Sequence, residues 1–232
     1  MAENNTSRTT SKVSLIVALA TLIVGGIIGY EIGHSMNSSN NSSSSSSQSV
    51  SAVNGKAATL RANLVSLGTA HMILTDEAVD QSLDGSPSAT ATTNNLVYNG
   101  TQISQAIGSV YGKTAQSQFQ KIWNIHLTDF VKYAVADKQG NKTAAQAALT
   151  DINNSYTIPI SKLLSSANPN LPYNTVYSEF RDHVDMTAQM INDHVTGNYT
   201  AETTVLNQAI THIDGLMSTL AGAIVKQYPT KF

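Results

Sequence analysis

Apolar residues are distributed along this 232-residue chain in two ways. Val13 to Ile32 is one apolar run whose single charge, Glu31, stands at its far end. From residue 53 onward, apolar positions recur instead at intervals of three and four, the spacing of helices that bury one face. No stretch alternates apolar and polar residues as a half-buried strand does, so the expected fold class is all-α.

The first run predicts a membrane anchor. About 20 residues at a 1.5 Å rise cross the hydrocarbon core of a bilayer. A cleaved signal peptide has a shorter apolar region and then a small-x-small site, whereas this run passes into Gly29-Tyr30-Glu31-Ile32-Gly33-His34. Arg8 and Lys12 precede the span, and Glu31 and His34 close it. The positive-inside rule then makes residues 1–12 a cytoplasmic tail, 13–33 the transmembrane helix, and everything after it extracytoplasmic at the cell membrane. Gly25, Gly29 and Gly33 recur every four residues, a pattern compatible with a dimer contact, although glycine is common in membrane helices generally. Residues 34–52, with the run Ser42–Ser47, have almost nothing apolar to bury and read as a flexible linker. Residues 53–232 remain as the domain that this linker displays.

Within the domain a unit repeats three times. His71, His126 and His183 recur at offsets of 55 and 57 residues, and Gly85, Gly140 and Gly197 each follow 14 residues later. After each glycine comes a similar stretch, Gly85-Ser-Pro-Ser-Ala89, Gly140-Asn-Lys-Thr-Ala144 and Gly197-Asn-Tyr-Thr-Ala201. A glycine just past a helix closes it in the left-handed conformation. Ser88, Thr143 and Thr200 are then expected to cap the next helix. The predicted helices cover 56–83, 89–110, 114–138, 143–166, 173–195 and 200–226, with breaks at Gly112 and at Asn168-Pro169-Asn170-Leu171-Pro172. This gives an antiparallel six-helix bundle of three tandem hairpins.

Composition narrows the chemistry. The chain has no cysteine, which excludes disulfides, thiolate metal sites and cysteine nucleophiles. Its net charge of −2, with no basic stripe, argues against nucleic acid as a partner. Charged residues make up only 12% and are replaced largely by Ser, Thr and Asn. Asn99, Asn141, Asn153 and Asn198 begin Asn-x-Ser/Thr triplets, acceptors where a host glycosylates. No phosphate loop or nucleophile elbow occurs, so no catalytic residue is assigned and an enzyme is not expected.

The histidines carry the remaining chemistry. Seven residues before each repeated histidine stand Leu64, Phe119 and Val176; seven after stand Ala78, Tyr133 and Met190. Those offsets share a helix face with the histidine, so all three imidazoles point toward the apolar side. His212 lies in a similar stripe with Val205, Ala209, Leu216 and Leu220, while His194 falls near the end of its helix. A single buried histidine is ordinarily a hydrogen-bonded core residue. Several converging imidazoles form a metal site without any cysteine, and His71, His126, His183 and His212 are the candidate ligands. Asp129 is a candidate ligand or supporting group, and Met186 and Met190 are nearby thioethers that favour copper over zinc or iron.

The stretches Leu60-Arg61-Ala62-Asn63-Leu64, Gln105-Ala106-Ile107-Gly108-Ser109-Val110-Tyr111-Gly112, Trp123 with His126, Ser166–Pro172 and Ala223–Pro229 resemble an uncharacterised family of exported bacterial all-helical proteins. The resemblance spans about residues 60–232. It implies a helical bundle, an exported location and histidines at the places of His71, His126, His183 and His212, and it implies no activity. This chain has fewer aromatic and charged residues than that family, and its Ser/Asn-rich linker is a further difference. The resulting expectation is an anchored extracytoplasmic bundle that binds a metal, copper first, for buffering, storage or sensing. The alternative is a structural or interaction module of the cell surface whose histidines are packing residues.

Overall fold

The computed structural model describes residues 55–232, so the predicted anchor and linker lie outside the described residues. Among the described residues there is no strand, and no helix is long and apolar enough to cross a membrane. Six helical rods follow one another: α1 (Lys56–Asp84), α2 (Ala89–Tyr111), α3 (Lys113–Lys138), a compound rod of α4 (Lys142–Ile152), a π-helical turn (Asn153–Thr157) and α5 (Ile158–Ala167), then α6 (Tyr173–Val195) and α7 (Tyr199–Gln227). Each predicted helix is present within a residue or two of its expected bounds.

The three repeat turns are built alike. Gly85, Gly140 and Gly197 have φ of 72°, 67° and 74°. In each, the glycine N–H bonds the carbonyl three residues back, and the next N–H reaches the carbonyl five back: Ser86 to Gln81 at 2.8 Å, Asn141 to Ala136 at 2.9 Å, and Asn198 to Asp193 at 2.8 Å. This paired closure satisfies carbonyls that the helix end would otherwise leave open. The next helix starts earlier than the sequence suggests. Asn141, not Thr143, caps α4, its side chain accepting from the Ala144 N–H at 3.1 Å, and Asn198, not Thr200, occupies the N-cap of α7. Ser88 does precede α2, but its hydroxyl is spent on the Gln81 side chain at 3.0 Å.

The π turn has a local cause. Pro159 has no N–H to give to the Ser155 carbonyl, and its ring crowds that oxygen. The rod therefore widens just before it and continues as α5 with proline in its first turn.

The hairpins α1–α2, α3–α4 and α6–α7 pack internally, α2 lies on α3, α5 on α6, and α7 returns against α1 along most of its length. The first helices of the three units, α1, α3 and α6, also touch one another. Each carries one repeated histidine at mid-length, so the repeat brings the three imidazoles to one place.

Two glycine replacements separate conformation from packing. At both Gly140 and Gly215 an added Cβ meets nothing within 4 Å, but only Gly140 has positive φ. Gly140→Ala is expected to lower unfolding stability by about 1 kcal/mol. Gly215→Ala, inside α7, is expected to raise it by about 0.5–1 kcal/mol. Urea denaturation of the two variants checks both signs.

Candidate metal centre

His71 of α1, His126 of α3 and His183 of α6 are 1%, 1% and 2% exposed. The ring of His71 lies 5.7 Å from that of His126 and 6.0 Å from that of His183, centre to centre. One ring nitrogen from each residue lies within 4.8 Å of those of the other two. Each ring also has a buried nitrogen with no hydrogen-bond partner: His71 Nδ1, His126 Nε2 and His183 Nδ1. For His126 the tautomer follows from its surroundings. Its Nδ1 faces the Trp123 carbonyl, which can only accept, so the proton sits on Nδ1 and Nε2 keeps its lone pair.

The surroundings hold the rings in place. Thr75 and Thr187, each four residues after a histidine, bond the carbonyls of His71 and His183 at 2.7 and 2.9 Å. Tyr156 stacks on His126 at 4.2 Å, delivered there by the π turn. Trp123 stands 4.8 Å from both His71 and His126. It fits because Gly100 on α2 has no side chain, since a Cβ there would come within 2.6 Å of the indole. Buried Asn99 donates to the Leu67 carbonyl at 3.0 Å and stands beside His71. At 3% exposure it is not open to glycosylation, contrary to the expectation from its triplet.

All three histidines are pushed down to about 3, first by burial and then by one another, with His212 adding to the effect on His183. They are therefore neutral at physiological pH, the form that offers lone pairs to a metal. Because the folded values lie below the unfolded 6.5, their contribution to stability is present above about 6.5 and is lost as pH falls toward about 3. Each can cost up to about 1.4 kcal/mol per pH unit across that window.

The expectation of four ligands needs correction. His212 stands outside the convergent group. Its Nε2–H donates to the Glu179 carbonyl at 2.9 Å, and its Nδ1 lies 3.8 Å from that residue's carboxylate, so it ties α7 to α6. Asp129 is also engaged elsewhere, with Lys132 at 2.6 Å and the Ser155 hydroxyl at 2.8 Å. Met190 is buried and Met186 is half-buried against the core, and neither lines the cavity above the histidines.

That cavity was not foreseen. About 370 Å³ in volume, it extends from the three histidines between α1, α2 and α3 to the Gly85–Pro87 turn. Tyr156 was also missed as a neighbour of the site, because a regular helix from 143 to 166 would not have delivered it.

A second group was passed over in the sequence because His194 lies at a helix end. Its Nδ1 is 2.9 Å from Asp80 and 3.0 Å from Glu202, and its Nε2 is 3.3 Å from Asp84. Burial alone would lower His194, but Asp80, Asp84 and Glu202 together push it up. Burial and the hydrogen bond with Glu202 raise Asp80 to about 7, and burial and Asp80 raise Asp76 to about 6. These carboxyls act in the opposite sense to the three histidines. Their contribution is complete below about 3.8 and is lost as pH rises through about 6 to 7.

Comparison with family models, with curated proteins and with solved structures gives no match, so the functional reading rests on the site itself.

In an NMR titration of the metal-free protein, the ring C–H signals of His71, His126 and His183 should stay at their neutral positions from about pH 8 to about pH 5. Movement of all three near the ordinary imidazole value would show that they are solvated and not packed as described.

Proposed function

We propose that this domain is a metal-binding helical bundle that holds one transition-metal ion, copper before zinc, on His71, His126 and His183. One observation carries the reading: three buried imidazoles, all neutral, each with an unpartnered nitrogen, meet at one point. A buried polar atom left without a partner costs about 1–3 kcal/mol. Three of them together approach the whole net stability of a typical domain, about 5–15 kcal/mol. Coordination satisfies all three with one ion.

The donor set favours copper on electrostatic grounds. It contains only neutral nitrogens, with no carboxylate within the group. An ion there keeps its full charge in apolar surroundings, and burying charge is expensive. Cu(I), with a single charge, carries the smallest such cost and accepts imidazole readily. A divalent ion would need an anion or hydroxide beside it. Displayed from a membrane anchor, as the first 52 residues suggest, such a domain would buffer, store or sense copper outside the cytoplasm.

The test is copper binding by the purified chain under reducing conditions. One equivalent of copper should bind. It should raise the melting temperature by roughly 5–10 °C at a hundredfold excess over Kd. It should also quench the fluorescence of Trp123, the only tryptophan in the chain. His126→Gln should abolish all three effects, whereas His212→Gln should retain them. If copper and zinc both fail to bind, and His126→Gln merely lowers stability, the histidines are packing residues and the domain is a structural or interaction module.

A further inference from the structure

The cavity above the histidines is unlike the rest of the interior. Its lining includes Val79, Leu83, Leu96, Phe130 and Val131, and no charged residue. Four of its six hydroxyls are spent on their own helices. Ser82, Thr75, Thr93 and Thr187 each donate to a carbonyl of their own helix, at 2.5, 2.7, 2.8 and 2.9 Å. His71, His126 and His183 form its floor. At the other end Gly85, Pro87 and Thr90 are exposed, which makes the first hairpin turn the mouth.

The internal repeat shows how the space arises. Seven residues after the repeated histidine, the second and third units carry Tyr133 and Met190, both buried. The first unit has Ala78 at that position, on the cavity wall. Four residues further on, the other units carry Asp137 and His194, both engaged in polar contacts, and the first carries Ser82. The cavity therefore lies where one copy of the unit has exchanged large side chains for small ones. Natural interiors close voids of this size unless something fills them.

We propose that this cavity is a binding site for a neutral, predominantly hydrocarbon molecule, which enters at the Gly85–Pro87 turn and reaches the three histidines with its inner end. The lining is mostly apolar and holds no Asp, Glu, Lys or Arg, which favours a neutral hydrocarbon over a charged or polyhydroxylated molecule. An engineered apolar cavity of about 150 Å³ holds benzene, so this one accommodates on the order of fifteen non-hydrogen atoms. Contact of the inner end with a metal ion rests on the function proposed above; the apolar seat does not. Ligand pockets of this kind, mostly apolar with a few polar atoms at one end, are typical of small-molecule sites.

The test uses the full chain, metal-free, with 1-aminoanthracene as a fluorescent probe and n-decanol and decanoate as competitors. Ala78→Tyr and Ala78→Met, which install the residues of the other two units, are measured under the same conditions. Probe affinity should fall at least tenfold in either filled variant, while copper still quenches Trp123, which shows that the bundle is intact. Decanol should displace the probe at least tenfold more effectively than decanoate. His212→Gln, at a residue outside the cavity lining, should keep both copper and the probe. Equal probe binding in the wild type and in a filled variant that still binds copper would overturn the proposal, as would equal competition by decanoate. Loss of copper binding in the wild type with probe binding intact would overturn only the metal reading.

Discussion

Three imidazole nitrogens without hydrogen-bond partners are buried where α1, α3 and α6 meet, and most of the interior is arranged to keep them there. Burial keeps the rings uncharged. Trp123 and Tyr156 wall them in, and Gly100 makes room for the indole. The Trp123 carbonyl fixes which nitrogen of His126 carries the proton, and threonine hydroxyls occupy the carbonyls of the other two histidines. An apolar residue at each position would be the simpler solution for stability alone. Leaving three imidazole nitrogens unpartnered at one place is costly, and a bound group would offset that cost.

The molecule divides its ionisable groups into two districts of opposite character. At the histidine centre, lack of charge is enforced by burial. Around His194, carboxylates of α1 and α7 surround one imidazole of α6 and share its protons. The first district loses stability as pH falls below about 6.5, and the second loses it as pH rises through about 6 to 7. The two slopes oppose each other between about pH 4 and about pH 6.5, which flattens the dependence of folding on pH in that acid range.

Much of this was legible in the sequence because the unit occurs three times. Gly85, Gly140 and Gly197 located the turns, and the apolar residues flanking His71, His126 and His183 turned those side chains inward. What the repeat could not reveal was where it is broken. His212 has the same apolar neighbours as a ligand would, yet the Glu179 carbonyl lies within reach and takes its proton. Tyr156 reaches His126 only because Pro159 forces one turn of wider helix, and helical periodicity is blind to a change of pitch. Ala78 looked like an ordinary small core residue. It became informative once the space beside it could be compared with the sites of Tyr133 and Met190.

The packing of α7 against α1 joins the last part of the chain to the first. The side chains of Arg61 and Ser218 meet across it at 3.2 Å, 157 residues apart in sequence. All three histidines of the buried group have been made once the chain reaches the end of α6, but α1 still lacks its most extensive neighbour. A chain made from its N-terminus thus holds the three histidines before the seam between α1 and α7 exists. Closure through such distant contacts is slow compared with the formation of local helices. The two ends of the domain therefore close on each other last, and a cut near either end would remove one face of that seam.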